Sequence, residues 1–530
     1  MDRRRLLWVL AGCLAVWASL LPARGVWAPD EARYAQVARE MRESGRWLVP
    51  LLNGELYSQK PPFFFDLVQV SSLLSEDVPE WAVKVPSLLG GLLTLALTGL
   101  IGLRLMGPRG AWLAPLLLGS LFKFGWQAQF GQIDMVLAAL VTGQIALGLR
   151  LVAGQGRRLP GLLGMALLAA LGVLSKGAVG CLLPWLILLV YLSLRRDWGG
   201  MRRLGLQWSV PGALLLVALW LGAAGLAAGW DYPRSLVFKQ SVQRYLEPWH
   251  HKAPIYQYLG VLFADGLPFS LLLVPLAAPL IRRKAWREPG ALLPLVWMGV
   301  YLVFFSLSAG KRSVYIHPLF PGMALLVAYG FLNLEAGRWK TGGFRLAYVV
   351  LGAIFAGAGA VGVAQMPEAY HPLRPYLVLG ALVLAGGALS AAWLTGRGKP
   401  IPGAVCLATC ALAFFPLTVV PAAAALDRTK TPRPFAAAAR PFLDAGGTVG
   451  TFPNLVPSVN YYLRATTPVF PKGERAEAER FLLEGDHRLL LVQQEDWGAE
   501  EDGRFRVVHA GPIGGDRYLL LTAAGPPPSK

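Results

Sequence analysis

Apolar residues gather into long blocks along most of this chain. About 20 apolar residues make a helix long enough to cross a bilayer, and thirteen runs reach or approach that length. The predicted spans are 6–23, 83–104, 110–129, 132–150, 160–175, 177–194, 208–228, 258–281, 290–308, 314–334, 345–366, 374–395 and 401–425. The pattern predicts an all-α polytopic membrane protein with about 13 transmembrane helices.

Residues 427–530 have a different pattern, in which short apolar runs alternate with turn-forming residues. We predict strands at 448–452, 489–492, 505–509 and 518–521, a helix at 474–483 and a turn at 511–516. The expected organisation is therefore a transmembrane domain, residues 1–426, followed by a small soluble α/β domain, residues 427–530. No catalytic motif stands out in the second domain.

Composition and charge agree with a membrane protein. Of the 530 residues, 55% are hydrophobic and 15% charged, whereas a soluble domain has nearer a quarter charged residues. This excludes a soluble globular enzyme and a disordered chain. The four cysteines lie inside predicted spans, which favours small buried side chains over disulfides or metal ligands.

The net charge is +19, and the positions of the basic residues along the chain indicate how the protein is oriented in the membrane. With the N-terminus in the cytoplasm, the cytoplasmic loops hold 21 basic and 4 acidic residues, and the rest of the chain before residue 427 holds 16 and 14. Cytoplasmic loops of membrane proteins carry excess Lys and Arg. We therefore expect a bacterial inner-membrane protein whose loop 24–82, loop 229–257 and C-terminal domain face the periplasm. A basic polar face for nucleic acid is lacking.

The first outer loop begins with an amphipathic helix, which should lie in the membrane interface. Its apolar stripe follows helical spacing and consists of Tyr34, Val37, Ala38 and Met41. Asp30 and Glu31 at its start allow two interpretations. They could be an N-cap and a favourable first-turn charge, or a carboxylate pair held where a lipid head group would lie.

A second motif follows at residues 57–65. Pro61 and Pro62 suit the first turn of another interfacial helix, and three phenylalanines after them would anchor it in lipid. Lys60 stands beside the N-terminus of that helix, where a cation is unfavourable unless an anion is present. Two explanations remain open: a phosphate partner, or a lysine that reaches lipid phosphate.

Further ionisable groups fall at the outer ends of predicted spans. They are Asp134, Lys176, Asp265, Lys311 and Arg312, and the loop 239–254 adds Arg244, His251 and Lys252. Each by itself could be a cap or an interface anchor. An ionisable group within a span, such as Asp265, points to function by default. Together these cations and carboxylates on one membrane face suit an anionic lipid substrate.

In this order the motifs at 30–35, 59–62, 134, 175–177 and 308–318 resemble the landmarks of one family. It is the polyprenyl-phosphate-dependent glycosyltransferases of the GT-C superfamily. Within it, the residues are most similar to the lipid A aminoarabinose transferase and its protein O-mannosyltransferase relatives. The resemblance covers residues 25 to about 330 and includes Arg244 and the segment 251–254.

The resemblance implies thirteen transmembrane helices, two interfacial helices in loop 24–82 and a sugar donor carried on undecaprenyl or a similar polyprenyl phosphate. Matched residue by residue, it implies the catalytic candidates Asp30 and Glu31. It implies donor phosphate contacts from Arg33, Lys60, Arg244 and Lys311. The weaker, cavity-lining candidates are Tyr57, Asp134, Lys176, His251, Lys252, Asp265 and Tyr315.

The chain departs from the aminoarabinose branch at Gln59. That branch often has Glu there, which can pair with a loop histidine to hold a metal, and it tends to have Glu-His where this chain has Gln240 and Ser241. The departure speaks against a divalent metal site and against aminoarabinose specificity. We expect no required cofactor.

The hypothesis is therefore a metal-independent, inverting transfer of one sugar to a lipid A-like lipid, a protein or a glycan at the periplasmic face. Cations would stabilise the charge that develops on the leaving phosphate. If the acceptor is a hydroxyl, Asp30 would accept its proton. An acceptor phosphate needs no base.

Two alternative functions fit the sequence less well. A lipid-linked sugar flippase or transporter would place charges near the bilayer midplane in paired repeats, but mid-span charges are scarce and no repeat is visible. An oligosaccharyltransferase would carry a tryptophan-rich motif in its C-terminal domain. The segment 229–232 resembles that motif only superficially and lies in a middle loop, so we attribute it to chance.

Overall fold

The computed structural model describes residues 2–237, 253–308, 310–485, 487–497 and 503–524. It divides the chain into two compact units. The first, the membrane unit, comprises Met1–Leu21, Ser58–Leu67 and Lys84–Ala422. The second, the loop unit, comprises Pro22–Tyr57, Val68–Val83 and Ala423–Lys530. Most of the first loop is therefore part of the same compact unit as the C-terminal segment.

The membrane unit is helical. Its α-helices are Asp2–Ala18, Phe63–Ser71 and Glu80–Gly119 (both of which continue into the loop unit), Phe122–Gln127, Ile133–Val152, Arg158–Lys176, Val179–Leu194, Trp198–Leu204, Leu206–Ala228, Asp231–Arg234, Gln257–Asp265, Leu273–Arg282, Pro289–Leu307, Phe320–Glu335, Gly342–Ala364, Arg374–Gly396 and Pro400–Phe414. Short 3-10 turns lie at Ser270–Leu272, Ala285–Arg287, Ser313–Leu319 and Glu368–Leu373, and a π-turn at Phe415–Val419.

Within the described residues, 9 helical segments are long and apolar enough to cross a membrane. A tenth results if Gln257–Asp265 and Ser270–Arg282, bent by 116°, form one span. Each of the thirteen predicted spans has a helical counterpart, but Asp2–Ala18 and Val179–Leu194 are shorter than a full span. The count of thirteen therefore stays a prediction.

The longest helical segment, Glu80–Gly119, is two helices joined at a sharp turn. Gly107 has φ 71° and ψ −166°, a conformation that favours glycine. A Cβ at Gly102 would lie only 2.4 Å from the carbonyl oxygen of Gly110, so the two arms fold back on each other at backbone distance. This hairpin accounts for the two spans predicted at 83–104 and 110–129.

Burial separates inner from outer helices in the membrane unit. In Ile133–Val152 and in Ser313–Glu335, 89% of the most apolar window is buried, against 17% in Trp198–Ala228. Leu214, Leu215 and Leu219 on that outer helix are each at least 60% exposed. A large exposed apolar surface of this kind is what a lipid-facing helix presents.

All six strands found in the described residues belong to the loop unit. A hairpin pairs β1 (Leu51–Leu52) with β2 (Glu55–Leu56). A four-stranded sheet has the order β3-β4-β6-β5, with strands β3 (Thr448–Phe452), β4 (Arg488–Gln493), β5 (Phe505–Ile513) and β6 (Asp516–Ala523). Strands β3 and β4 are parallel and the other pairs are antiparallel. The four predicted strands are confirmed, but the predicted turn is too long because β5 continues to Ile513.

The helices of the loop unit cover the sheet and the first loop. They are Asp30–Glu43, Val420–Lys430 (which begins in the membrane unit), Arg433–Asp444, Pro457–Leu463, Arg475–Leu483 and Gln494–Trp497, with a 3-10 turn at Lys472–Glu474. The helix predicted at 474–483 is confirmed. A buried core of Phe435, Val449, Leu489, Leu491 and Leu520 holds the sheet to its helices.

Candidate functional site

The helix Asp30–Glu43, called the Asp30 helix below, carries both predicted catalytic carboxylates. Its N-cap is Pro29, and no side chain caps it, so the N-cap interpretation of Asp30 is wrong. Asp30 is instead the first helical residue. Its carboxylate is 13% exposed and lies 4.0 Å from the guanidinium of Arg33, one turn along the helix.

Glu31 is fully buried and both of its carboxylate oxygens accept hydrogen bonds. The guanidinium of Arg24 donates to both, at 2.5 Å and 3.1 Å, and the backbone N–H of Trp27 donates to Oε2 at 2.9 Å. Paired and hydrogen-bonded in this way, a buried charge is stable. Glu31 therefore fixes the start of the Asp30 helix to the chain segment before it.

The predicted apolar stripe of the Asp30 helix is buried, but so is much of its polar side. Arg39 donates from Nε and Nη2 to the carboxylate of Asp77, at 2.7 Å and 2.9 Å, and its Nη1 donates to the carbonyl of Tyr461. Burial opposes ionisation of Asp77, but the hydrogen bond and charge of Arg39 outweigh it and hold the pKa of Asp77 below its usual value. The helix is packed on several sides within the loop unit.

Glu40 fixes the β1–β2 hairpin against the same helix. Its carboxylate accepts from the backbone N–H groups of Asn53 and Gly54, at 2.8 Å and 2.9 Å. The Asn53 side-chain oxygen accepts from the Asn460 amide and the Thr467 backbone N–H, at 2.8 Å and 2.9 Å. Residues of the C-terminal segment thus complete the support of the first loop.

Tyr57 and Lys60 follow this hairpin directly in the chain. Tyr57 is 4% exposed, and its N–H donates to the carbonyl of Pro50 at 2.8 Å. Lys60 is half-buried and Gln59 is exposed. The helix that Pro61 and Pro62 were predicted to start begins at Phe63.

Asp66 belongs to the same short helix and was not among the predicted site residues. Burial raises its pKa to about 7. The sequence signal was an acid inside an otherwise apolar stretch, FFFDLVQV. That signal is weak because a single acid in a short interfacial helix is common.

Three of the predicted cavity-lining residues meet in the membrane unit. Lys176 and Asp134 form a hydrogen-bonded ion pair, with side chains 14% and 8% exposed. The ammonium of Lys176 lies 4.8 Å from the ring centroid of Tyr315, within cation–π distance. These residues are far apart in sequence, and the fold assembles them into one polar cluster.

His317, which was not predicted, lies beside this cluster. It is 1% exposed, stacks on the ring of Phe124 at 5.2 Å between centroids and approaches the sulfur of Met135 at 2.9 Å. The imidazole is fully enclosed by apolar and aromatic side chains, so we interpret His317 as a packing residue. The sequence offered no signal for it beyond a histidine within an apolar run.

Lys311 and Asp265 occupy separate positions in the membrane unit. Lys311 is 5% exposed and its ammonium donates to the carbonyl of Ser308; it also lines a cavity of about 330 Å³. Asp265 is half-buried and ends the helix Gln257–Asp265, at the 116° bend. Its Oδ2 is buried and makes no hydrogen bond within the described residues.

The remaining predicted residues, Arg244, His251 and Lys252, lie outside the described residues, as do Gln240 and Ser241. In the described part of the chain, no group of three or more His, Cys, Asp or Glu side chains is arranged to hold a metal ion.

Residues 59–222 match a family model described as dolichyl-phosphate-mannose-protein mannosyltransferase. The chain is also similar to curated enzymes named undecaprenyl phosphate-alpha-4-amino-4-deoxy-L-arabinose arabinosyl transferase. Identity is 30% with that of Aeromonas hydrophila subsp. hydrophila, over 63% of each chain. It is 30% with that of Shewanella sediminis, over 67% of this chain and 65% of the relative. The chain thus spans under two thirds of the length of these relatives.

Solved structures show the fold. The chain superposes on the crystal structure of ArnT from Cupriavidus metallidurans bound to undecaprenyl phosphate with a TM-score of 0.81, at 22% identity and over 98% of both chains. The apo structure of the same protein gives 0.80 over 98% of this chain. The chain therefore has this fold over nearly its whole length.

These findings confirm the resemblance to the GT-C glycosyltransferases. They also confirm the predicted fold class, a helical polytopic membrane protein with a small C-terminal α/β domain. With its apolar helices, the chain is a multi-pass inner-membrane protein. None of the relatives described above is named as a flippase or a transporter.

Proposed function

We propose that this chain transfers a sugar from a polyprenyl-phosphate donor to an acceptor at the periplasmic face of the bacterial inner membrane. The observation that carries the proposal is the fold, shared over 98% of both chains with a protein crystallised with undecaprenyl phosphate. The similarity to curated arabinosyl transferases supports the same reaction class. The distribution of basic residues supports a cytoplasmic N-terminus and a periplasmic C-terminal segment.

In this proposal the leaving group is a polyprenyl monophosphate, and cations bind it. Lys60, Arg33 and Arg244 are the candidates, because the matched motifs contain them. As the bond from sugar to phosphate oxygen breaks, negative charge grows on the phosphate. Fixed cations stabilise that charge more in the transition state than in the bound donor, which is the condition for catalysis.

Asp30 is the proposed catalytic carboxylate and Glu31 a positioning residue. Asp30 is only partly buried, and the guanidinium of Arg33 lies 4.0 Å from its carboxylate. Both oxygens of Glu31 are already engaged by Arg24 and Trp27. If the acceptor is a hydroxyl, Asp30 accepts its proton while the sugar is attacked from the side opposite the phosphate, which gives inversion.

The transfer is proposed to need no metal, because Gln59 is a poor ligand and cations can take over the charge stabilisation. The acceptor is a lipid A-like lipid, a protein or a glycan.

Residues 1–426 would bind the lipid substrates, and residues 427–530 would form the periplasmic domain that supports the first loop. Contacts such as Asn460 to Asn53 favour this supporting role.

The test uses full-length protein in lipid nanodiscs with labelled undecaprenyl-phosphate sugars. Asp30→Asn should lower turnover by about 10² to 10⁴-fold, the usual contribution of a positioned acid or base. Asp231→Asn is the matched control, since that carboxylate is fully exposed. Wild-type turnover in Asp30→Asn would exclude the catalytic assignment.

Mass spectrometry of envelope lipids and glycoproteins identifies the substrates. Cells with wild-type protein should carry a hexose or aminosugar mass that is missing from cells with Asp30→Asn. The molecule that loses the mass is the acceptor, and the mass itself identifies the sugar. An unchanged envelope, combined with no donor turnover in nanodiscs, would contradict the proposed reaction.

A further inference from the structure

We propose that a second cavity of the membrane unit binds an anionic membrane phospholipid by its phosphodiester head group. The cavity has a volume of about 520 Å³ and is lined by Leu189, Trp198, Met201, Arg202, Leu206 and Gln207. It is named the Arg202 cavity below. The inference goes beyond the proposed sugar transfer and uses from it only the placement of the chain in a bacterial inner membrane.

The Arg202 cavity lies at the end of the membrane unit away from the Asp134–Lys176 ion pair. The helix Ile133–Val152 begins at that pair, since Asp134 is its second residue. It ends near the cavity, because Arg203 donates to the carbonyl of Val152 at 2.7 Å. Its 20 residues extend over about 30 Å, which is the thickness of the hydrocarbon core of a bilayer. The cavity therefore lies at the opposite face of the membrane, which is the cytoplasmic face in the proposed orientation.

Three consecutive helices form the walls of the Arg202 cavity, namely Val179–Leu194, Trp198–Leu204 and Leu206–Ala228. The middle helix has only 7 residues and a defined turn at each end. Asp197 caps its start by accepting from the backbone N–H of Gly200 at 2.7 Å, and Gly205 ends it with φ 69°. The volume between the three helices lies within the range of ligand sites, which is about 300–1,000 Å³.

The charge around the Arg202 cavity is positive. Residues 195–203 contain four arginines and one acid, Asp197. That acid is already engaged, since it caps the short helix and lies 3.9 Å from Arg203. Arg195 donates to the hydroxyl of Tyr191 at 2.9 Å. The side chain of Arg202, in contrast, is exposed and has no hydrogen-bond or ion-pair partner within the described residues. Its guanidinium is therefore available to a ligand.

The amount of charge indicates which kind of phosphate fits. Arg202 is the one ionisable side chain in the described lining, and its guanidinium can donate two parallel hydrogen bonds to a phosphate group. A phosphodiester carries one negative charge, whereas a monoester such as a polyprenyl phosphate carries about −1.5 to −2. A zwitterionic head group would bring its own ammonium close to the arginines. Phosphatidylglycerol, which has a phosphodiester and no ammonium, therefore matches the cavity best.

The rest of the lining suits the remaining parts of such a lipid. Four of the six lining side chains are apolar and can contact acyl chains. The amide of Gln207 offers donors and an acceptor to the glycerol hydroxyl groups. Trp198 and Trp208 are 60% and 66% exposed, and tryptophan is enriched where a membrane meets water. Basic pockets between helices on the cytoplasmic side of a membrane bind anionic lipid head groups in other proteins.

The experiment uses full-length protein in a mild detergent, titrated with phosphatidylglycerol, and counts the bound lipid by native mass spectrometry. Arg202→Gln should weaken phosphatidylglycerol by about tenfold, as expected for the loss of a charge-assisted hydrogen bond. Arg202→Glu should weaken it further, because the lining then repels the phosphate. Since Arg202 is exposed, both variants should keep the wild-type Tm in detergent without lipid.

The matched control is Arg283→Gln. Arg283 is also exposed and belongs to another loop predicted to be cytoplasmic, but it is not among the residues that line the Arg202 cavity. Its affinity for phosphatidylglycerol should equal that of the wild type. Unchanged affinity in both Arg202 variants, or the same loss in Arg283→Gln, would overturn the proposal.

Two further lipids separate the possible ligands of the cavity. Phosphatidylcholine should bind wild-type protein at least about tenfold more weakly than phosphatidylglycerol. Equal affinities would mean that the cavity holds acyl chains without recognising a head group, and would overturn the proposal. Geranyl phosphate should lose affinity in Lys60→Gln and keep it in Arg202→Gln. Its loss in Arg202→Gln would make the cavity a polyprenyl phosphate site and would also overturn the proposal.

The lipid site and the proposed transferase activity can fail independently. If Asp30→Asn turns over the donor like the wild type while phosphatidylglycerol binding depends on Arg202, the catalytic assignment is wrong and the lipid site stands. If Asp30→Asn is inactive and phosphatidylglycerol binds equally to wild type and both Arg202 variants, the lipid site is wrong and the transferase assignment stands.

Discussion

The Asp30 helix and the 330 Å³ cavity lined by Lys311 use charge in opposite ways. In the loop unit, Glu31 is paired with Arg24, Arg39 with Asp77, and Glu40 with the backbone of a hairpin. In that cavity, Lys123, Lys311 and Arg312 line one space, and the described lining includes no carboxylate. Charges that satisfy one another hold the first loop in its fold, whereas the cavity brings side chains of like charge to one surface.

The predicted site residues also fall into these two regions. Glu31 was predicted as catalytic; because Arg24 and Trp27 already engage both of its carboxylate oxygens, we propose that it positions Asp30 instead. Lys311 was predicted at the donor phosphate, and this stays a prediction. In the structure it lines a cavity together with Lys123, which was not predicted. Four predictions test this contrast, beginning with the one whose expected effect is largest.

Breaking the Arg24–Glu31 pair should have the largest effect on stability. Arg24→Ala leaves a fully buried carboxylate without its partner, which costs about 3–5 kcal/mol. Thermal unfolding of the purified protein measures the loss. Arg440→Ala is the control, since its pair with Asp444 is exposed and worth about 0–1 kcal/mol. Equal losses of stability in the two variants would mean that burial does not determine how much each ion pair contributes to stability.

Removal of the Glu40 carboxylate should come next. Glu40→Ala removes the acceptor of the N–H groups of Asn53 and Gly54, which belong to a half-buried and an exposed residue. Each lost hydrogen bond should therefore cost about 0.5–1.5 kcal/mol. The hairpin should also loosen and raise the KM for the donor, because Lys60 follows it in the chain. Limited proteolysis of residues 50–57 checks the hairpin directly. A hairpin that resists protease as well as the wild type would contradict its dependence on Glu40.

Asp66 should make stability depend on pH. Its folded pKa of about 7 lies above the ordinary value of 3.8, so folding favours the protonated form. The cost of ionising it is absent at low pH, grows as pH rises above the unfolded pKa, and is complete above about 7. Asp66→Asn should therefore raise the Tm at pH 8 more than at pH 5. The same Tm gain at both pH values would show that Asp66 does not titrate in this window.

The cavity cations should affect stability least. Lys123→Gln removes a charge that makes no ion pair or hydrogen bond within the described residues, so the change should stay within about 0.5 kcal/mol. A Tm loss as large as that of Arg24→Ala would place Lys123 among the structural charges instead.

Local patterns gave much of the fold. The apolar stripe Tyr34, Val37, Ala38 and Met41 is buried as predicted, because a 3.6-residue period is a property of neighbours in sequence. The strands of the C-terminal segment follow for the same reason. The polar side of the Asp30 helix could not be predicted, since the partners of Arg39 are Asp77 and Tyr461, far away in the chain.

Candidate residues were harder to rank than to find. Asp134, Lys176 and Tyr315 were each recognised, but nothing in the sequence says that they touch. Lys123 was missed because one lysine between phenylalanines looks like an interface anchor. A residue's role depends on its partners, and sequence spacing shows partners only when they lie within a few turns.

By itself the sequence determined that this is a polytopic membrane protein and which polar segments its helices leave outside the bilayer, because long apolar runs have no other stable environment. It also determined the family resemblance, through motifs that are contiguous. Only the tertiary structure decided which charges neutralise each other and which are left to face a cavity. Coulomb interactions depend on distance and burial, and the chain brings residues 24 and 31, or 123 and 311, into their positions only when it folds.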